Sequence, residues 1–347
     1  MPLPPLASVE QARSLLQLNT AYHQAKLLHT AVELGLFEML AGGPSTVDEV
    51  RRKLSLAHPL ATDFLDALVA VGLLEADDGP PRSYRNSATA TAFLVPGAPE
   101  YLGGSVLQHA RKHYHVWAGL TTALREGEAG SGAEAHGPEA YPQHYADLER
   151  ARQIMAHFDT FTTFTADELA RRVDWGPYRS FVDIGGARGN LATRLALAHP
   201  HLSGTVFDLP ALAPLCEELT ADRGLDGRVR FQGGDFRTDP LPAADAVVIG
   251  HVLPDWPFPQ RRALLRRIHG ALRPGGALVI YDLMTDPASE SAHDILQRLN
   301  HGLIRGDSSS SSVAQYRASV EEAGFTIRQA ERIDNLLGDW LIVAVKP

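Results

Sequence analysis

The sequence predicts an α/β protein with a doubly wound parallel sheet in its C-terminal half and a helical domain before it. From residue 180 onward, short β-branched runs alternate with helical segments, which is typical of a parallel sheet. The first of these runs, FVDIGG, leads directly into a glycine-rich turn. Before residue 105, apolar residues recur with the period of a helix. The chain has 347 residues, 44% of them apolar, which is enough for two domains with separate cores.

The first segment, residues 1–105, predicts packed helices and a short β-hairpin. Helical periodicity runs from Val9 to Leu40, and a further helix is predicted at Ser45, whose hydroxyl lies three residues before Asp48 as in a capping box. Another helix is expected over ATDFLDALVAVGLLEA, followed by a hairpin strand and a helix in RSYRNSATATAFL. This order is typical of a winged-helix domain, which binds DNA or mediates dimerisation. Seven basic against eleven acidic residues favour dimerisation.

Residues 106–170 are predicted to form a helical linker and a segment of the substrate pocket, and residues 171–347 are predicted to form the domain with the parallel sheet. The linker contains a glycine-rich segment, GEAGSGAEAHGPEAYP, which is expected to be a mobile loop, and a long amphipathic helix, LERARQIMAHFDTFTTFTADELAR. The predicted strands of the sheet are FVDIG, GTVFDL, VRFQGGD, AVVIG, ALVIYDL and WLIVAVK.

Charge and cysteine content exclude several classes of protein. The net charge of −9 lacks the basic surface that binds nucleic acid or anionic lipid. The single cysteine, Cys216, cannot form an internal disulfide, and the first residues show neither the basic nor the apolar region of a signal peptide. We therefore expect a cytoplasmic protein with no membrane span.

Acidic residues in or after the first three predicted strands point to a nucleoside ligand. The turn Gly185-Gly186-Ala-Arg-Gly opens a helix, and its glycines allow a close approach to a ligand. Asp208 ends the second strand, about twenty residues after the turn, where a carboxylate can accept both ribose hydroxyls. Asp235 and Phe236 follow the third strand and can hold the edge and the face of an adenine. No lysine is placed to bind a triphosphate.

These motifs resemble the S-adenosylmethionine-dependent small-molecule O-methyltransferases of plants and bacteria. The resemblance covers nearly the whole chain, including the VLPDW, LRPGGALVIYD and EEAGF stretches. It implies a Rossmann-like methyltransferase domain, a winged-helix-like dimerisation domain, a homodimer and a small-molecule substrate. It also implies that Gly185 faces the methionine part of S-adenosylmethionine, Asp208 the ribose, and Asp235 with Phe236 the adenine. The remaining residues predicted to bind the cofactor are Asp183, Gly186, Leu209 and Gly250.

The sequence departs from this family at the general base. The family carries a histidine in a V-L-H-D-W stretch, and this chain has Pro254 there. His251 and His301 match two histidines of a related group, the metal-dependent α-keto acid C-methyltransferases. The resemblance implies that both bind one catalytic Zn or Fe ion, which would stabilise the enolate of a 2-keto acid. His293 is a possible third ligand, but it lies about 12 Å from His301 along a helix.

Three hypotheses of function follow. The leading one is metal-assisted C-methylation at the β-carbon of a 2-keto acid in secondary metabolism. The alternative is O-methylation of a phenolic or polyketide metabolite without a classical histidine base. The third is a non-catalytic winged-helix regulator, against which the acidic first domain argues. Met155, Phe158 and Phe161 match substrate-pocket positions of the family, or are simply core residues.

Overall fold

The computed structural model describes residues 8–127, 141–286, 288, 291–305 and 311–347. These residues belong to two compact units, 1–112 and 113–347. The three-part division at residues 105 and 170 stays a prediction. Most of the predicted glycine-rich loop lies outside the described residues. Within the described ranges, none of the helices has the length and apolarity needed to cross a membrane.

The first unit consists of short helices and a three-stranded antiparallel sheet in the order β1-β3-β2. Its helices are α1 (Val9–Thr20), α2 (Tyr22–Glu33), α3 (Leu36–Ala41), α4 (Val47–Lys53), α5 (Ala61–Ala70), α6 (Ala88–Phe93) and α7 (Gly103–Gln108). Its strands are β1 (Ser45–Thr46), β2 (Leu74–Asp77) and β3 (Ser83–Asn86). The β2–β3 hairpin and the helix after it are confirmed.

Two predicted helix boundaries in this unit are wrong by a few residues. The N-cap of α4 is Thr46 rather than Ser45: the Thr46 side chain accepts from the Glu49 backbone N–H, and the Glu49 carboxylate accepts from the Thr46 backbone N–H. Ser45 pairs instead with Tyr84 in the sheet. The predicted third helix ends at Ala70, and its last residues, LEA, begin β2. Cross-strand pairing outweighs local helical periodicity there.

The second unit is a seven-stranded sheet with flanking helices. Its helices are α8 (Tyr114–Ala118), α9 (Leu120–Glu126), α10 (Tyr141–His144), α11 (Leu148–Arg172), α12 (Asn190–Ala198), α13 (Ala213–Asp222), α14 (Phe258–Ala271), α15 (Ala292–Arg305) and α16 (Val313–Glu322). Its strands are β4 (Ser180–Ile184), β5 (Ser203–Asp208), β6 (Val229–Gly233), β7 (Ala246–Gly250), β8 (Ala277–Asp282), β9 (Thr326–Arg332) and β10 (Trp340–Val345). A π-helical turn, His109–His113, precedes α8.

The strand order β6-β5-β4-β7-β8-β10-β9 confirms the predicted doubly wound sheet. Pairing is parallel from β6 through β8, while β10 runs antiparallel to both β8 and β9. The chain goes from β4 to β5 on one side and later returns to β7 on the other. The strand order therefore reverses between β4 and β7, and their carboxyl ends form the crevice where such sheets bind ligands.

The core lies on both faces of this sheet. Along β7, Ala246 and Val248 belong to one buried cluster, and Val247 and Ile249 belong to the other. Strands buried on both faces are continuously apolar, which is why AVVIG and ALVIYD were recognisable in the sequence. Cys216 is fully buried in the first cluster, and this burial raises the pKa of its thiol to about 12. The thiol is therefore almost entirely protonated at neutral pH.

Candidate active site

The glycine turn after β4 lines the crevice. Gly185 has a φ of +70°, and its N–H donates to the Phe207 carbonyl across the sheet at 2.9 Å. A Cβ at Gly185 would lie 2.4 Å from Cγ2 of Val252, so only glycine fits without a shift. The turn leads into α12, whose first N–H groups have no partner within the helix. This segment can therefore approach a ligand with backbone donors.

Two buried carboxylates stand beside the turn. Asp208 accepts from the Ala187 N–H at 2.8 Å and from the Leu209 N–H at 2.6 Å, one at each oxygen. Burial raises the pKa of Asp208 to about 6, although these two hydrogen bonds lower it. Burial and the charge of Asp208 together raise the pKa of Asp183 to about 7. Asp183 Oδ2 is buried with no hydrogen-bond partner among the described residues, as expected of a group awaiting a ligand.

A third carboxylate and two aromatic rings follow β6 and β7. Arg237 donates to both oxygens of Asp235, at 2.7 to 3.0 Å, and this contact lowers the pKa of Asp235. The Arg237 guanidinium also lies 4.8 Å from the centre of the Trp256 ring. Phe236 meets Trp256 edge to face with ring centres 5.6 Å apart. The site predicted to bind adenine is therefore lined by two aromatic rings, and the Asp235–Arg237 ion pair lies beside them.

Polar side chains of helix α11 form hydrogen bonds with the residues that follow the glycine turn. Arg188, which directly follows Ala187, donates from its Nε to Asp159 Oδ2 at 2.7 Å. Burial raises the pKa of Asp159, and the nearby Arg188 partly offsets that rise. Asn190, at the start of α12, donates to the hydroxyls of Thr162 and Thr163. The position of the turn is thus fixed by polar contacts that the local motif does not reveal.

At the end of β7, the backbone lies close to the side chain of a neighbouring strand. A Cβ at Gly250 would lie 2.0 Å from the ring of Tyr281, so the ring requires glycine there. His251 follows with a φ of +55°, a strained value for a side chain of this size. Its Nε2 lies 3.0 Å from Asp339 Oδ2, and its Nδ1 lies 3.7 Å from Asp282 Oδ1. Pro254 lies in the short 3₁₀ turn just beyond.

The predicted site residues converge on one cavity of the second unit, with a single exception. Those lining it are Asp183, Gly185, Gly186, Asp208, Leu209, Asp235, Phe236, Gly250, His251 and His301. The exception is His293, which does not line it. Phe158 and Phe161 also line the cavity, whereas Met155 is fully buried in a core cluster.

The geometry does not support the predicted Zn or Fe site. No group of three or more His, Cys, Asp or Glu side chains in the described part of the chain could hold a metal ion. Nε2 of His251 is directed to Asp339. His293 and His301 lie on the uninterrupted helix α15, so they remain about 12 Å apart and cannot share an ion.

Sequence reasoning missed several residues that line the cavity. His157 comes from α11, and Tyr141 and Tyr145 come from α10 and the residue after it. The Tyr141 hydroxyl donates to Asp255 Oδ2 at 2.5 Å, across 114 residues of sequence. Tyr145 is buried, and this burial, together with the charges of Asp208 and Asp255, raises the pKa of its hydroxyl well above the ordinary value. The aromatic spacing Tyr141, Tyr145 was visible in the sequence, but their partners were not.

Comparison with known proteins agrees with this geometry. Family models for an O-methyltransferase domain and for an O-methyltransferase dimerisation domain match residues 117–326 and 16–96. The N,N-dimethyltransferase OxyT of Streptomyces rimosus is 78% identical over 99% of both chains. The tetracenomycin polyketide synthesis 8-O-methyl transferase TcmO of Streptomyces glaucescens is 42% identical over 93% of this chain and 94% of its own.

Among solved structures, human N-acetylserotonin methyltransferase in complex with S-adenosylmethionine shares the fold. The TM-score is 0.86, with 24% identity over 99% of both chains. The glycine turn, the acidic strand ends and the match to an O-methyltransferase domain all point to the same cofactor. The chain belongs to the O-methyltransferase family and is an S-adenosylmethionine-dependent methyltransferase.

Proposed function

We propose that this enzyme transfers two methyl groups in succession to an amine nitrogen of a polyketide-type metabolite. The 78% identity to an N,N-dimethyltransferase supports the nitrogen acceptor. The 42% identity to a transferase of polyketide synthesis supports the substrate class. C-methylation of a 2-keto acid has no such support, because these relatives are named for methylation at nitrogen or oxygen.

The residues of the cavity fit S-adenosylmethionine. Each oxygen of Asp208 accepts one backbone N–H and keeps a lone pair for a ribose hydroxyl. The unpartnered oxygen of Asp183 suits a cationic group, and the Phe236–Trp256 wall suits a purine face. When bound, the cofactor supplies an electrophilic methyl group on a sulfonium. The protein's own part is to hold it with the methyl directed at the acceptor.

Pro254 is the observation that carries the nitrogen assignment. A phenol reacts well only after it loses its proton, and the family places a histidine at this position for that purpose. Proline cannot accept a proton. An amine that enters the site in its neutral form, in contrast, attacks with its lone pair and loses its proton only after the new bond has formed. A site without a base at residue 254 is therefore better suited to an amine than to a phenol.

Aromatic side chains of the cavity suit a flat polycyclic substrate. Phe158, Phe161, Trp256 and Tyr141 line it. Large rings contribute apolar area and stacking surface without many rotatable bonds. These walls would hold the ring system while the amine meets the methyl group.

O-methylation is the second candidate, because TcmO is named for it and the matching family model is an O-methyltransferase domain. One probe separates the two: 8-hydroxy-2-aminotetralin offers an aliphatic amine and a phenol on the same small ring system. After incubation with S-adenosylmethionine, tandem mass spectrometry locates the new methyl groups. We expect one and then two methyl groups on nitrogen. Methyl groups on oxygen alone would overturn the nitrogen assignment.

The homodimer is also part of this proposal. The dimerisation-domain match begins within α1, and α1 buries none of its own residues. Leu15, Leu16 and Leu18 on this helix are 65 to 73% exposed. An apolar helix of this kind is stabilised by a partner surface, which a second copy of the chain would provide.

A further inference from the structure

The salt bridge between Asp159 of α11 and Arg188 lies behind the wall of the cavity, next to the glycine turn. Neither residue lines the cavity, and their side chains are only 18 and 22% exposed. Both Nε and Nη2 of Arg188 donate to the same oxygen, Asp159 Oδ2. Phe158, the neighbour of Asp159 on the helix, does line the cavity. The salt bridge therefore joins one wall of the cavity to the turn.

The residue before Arg188, Ala187, has a strained backbone. Its φ is +54°, in the left-handed region that residues with a Cβ rarely adopt. Such a conformation persists only where the surrounding contacts hold it. In this conformation the Ala187 N–H donates to Asp208 Oδ2 at 2.8 Å. Because Arg188 is the next residue along the chain, its salt bridge with α11 holds the turn at this point.

Other polar contacts hold the helix after the turn, α12, against α11. Asn190, the first residue of α12, donates to the Thr162 hydroxyl at 2.9 Å and to the Thr163 hydroxyl at 3.1 Å. Further along α12, Arg194 forms a salt bridge with Asp167 of α11 at 3.4 Å. The packing of the two helices therefore does not depend on the salt bridge at the turn alone.

We propose that Asp159, through Arg188, positions Asp208 to bind the ribose of the cofactor. This inference rests on the contact between Asp208 and the ribose in the proposed function. The Ala187 N–H fixes the direction of Asp208 Oδ2, so that the remaining lone pairs of the carboxylate can meet two adjacent hydroxyls. If the turn moves, Asp208 loses this donor and its alignment. Asp159 is thus a positioning residue, since it acts through Arg188 and does not itself line the cavity.

The test compares two ligands that differ in one hydroxyl, S-adenosylhomocysteine and its 2′-deoxy analogue. Both carry the same charges, so a change in the electrostatic potential of the cavity cancels in the ratio of their dissociation constants. The wild type should bind the ribose form about tenfold more tightly or better, the size of one hydrogen bond to a charged group. In Asp159→Asn this ratio should fall to about threefold or less, because a misaligned hydrogen bond is weak. Isothermal titration calorimetry measures both constants.

Further variants test whether the two residues act together. Arg188→Gln should lower the ratio as Asp159→Asn does, and the double variant should lose no more than either single variant. Arg188→Lys keeps the charge and one donor, so its ratio should lie between those of wild type and Arg188→Gln. Asp167→Asn is the matched control, because it removes a half-exposed salt bridge between the same two helices, away from the turn. Its ratio should stay within about twofold of wild type.

The ratio separates positioning from a merely structural role. An unchanged ratio in Asp159→Asn and Arg188→Gln, even with weaker binding of both ligands, would overturn the inference. The same fall of the ratio in Asp167→Asn would also overturn it, since any loosening of α11 would then have the effect. Equal affinities of the wild type for the two ligands would instead refute the contact between Asp208 and the ribose, and the inference with it.

Discussion

Asp183 combines full burial, an oxygen with no hydrogen-bond partner among the described residues and a pKa of about 7. We have placed it against a cationic group of the cofactor, which favours its ionised form. Binding of S-adenosylmethionine at pH 7 should therefore release a fraction of a proton, and affinity should weaken as the pH falls from 8 to 6. Calorimetry in two buffers with different ionisation enthalpies measures the released protons directly.

Asp183→Asn is the control for that prediction. Without the carboxyl group, proton release near pH 7 should fall to the contribution of Asp208, whose pKa is about 6. Undiminished proton release in Asp183→Asn would remove Asp183 from this role. The two raised pKa values also mean that the folded enzyme without cofactor binds protons more tightly than the unfolded chain. Its free energy of unfolding should fall as the pH rises from about 4 through 7.

Single residues show where sequence reasoning works and where it stops. The positions of Asp208 and Gly185 at the cavity were predictable because they depend on neighbours within one turn or one strand, and their contacts with the cofactor stay a prediction. The partner of His251 is Asp339, 88 residues away, and only the fold brings the two together. Two histidines in suggestive positions predicted a metal ion, yet one of them is directed to a carboxylate. Residue type and order could not distinguish these two environments.

At the scale of an element, the glycine turn should be the most sensitive segment of the second unit. Gly185→Ala must adopt a φ of +70° and move Val252, so we expect it to lower the free energy of unfolding by about 1 to 3 kcal/mol. Cofactor affinity should fall with it. Thermal unfolding, with and without S-adenosylmethionine, measures both effects.

Gly270→Ala is the matched control for this prediction. Gly270 lies in α14 with an ordinary φ, and nothing lies within 4 Å of an added Cβ. Because alanine favours the helix, this variant should be unchanged or more stable by about 0.5 kcal/mol. Equal loss of stability in both variants would show that the turn has no special constraint.

Six of the seven strands of the large sheet were predictable, and the seventh was not. Five of the six are largely buried and rich in apolar residues, which gives each a clear signal, and β6 at the opposite edge has a buried Val229 and a half-buried Phe231. The missed strand β9, TIRQAER, is at the sheet edge, and most of its residues are polar or charged. Charged side chains on edge strands commonly prevent pairing with other chains. Because of these charged residues, such a strand has no apolar run by which it could be recognised in the sequence.

For the whole molecule, light scattering at micromolar concentration should give about twice 37.6 kDa. Leu18→Asp, on the exposed face of α1, should reduce this toward the mass of one chain. Leu197→Glu, at an exposed leucine of α12, should not change it. The cavity-lining residues described above all belong to residues 113–347, so cofactor affinity should persist in the Leu18→Asp monomer. A wild-type mass of one chain would refute the dimer.

The fold class and the cofactor were predictable for the whole chain because several motifs occur in a fixed order. The acceptor atom was not, since one substitution, Pro254, removes a base without saying what replaces it. C-methylation with a metal was a chemically coherent answer to that absence. The relatives named above are named for methylation at nitrogen or oxygen, and they favour a different answer.

The deep burial of Cys216 has a practical consequence for spectroscopy. Maleimides and similar reagents react with thiolates, and a buried thiol with a pKa of about 12 offers almost none. Since the chain contains one cysteine, the natural protein already serves as a silent background for labelling. A cysteine introduced on an exposed surface would carry a fluorophore or spin label alone, and distances could be measured without removing any native residue.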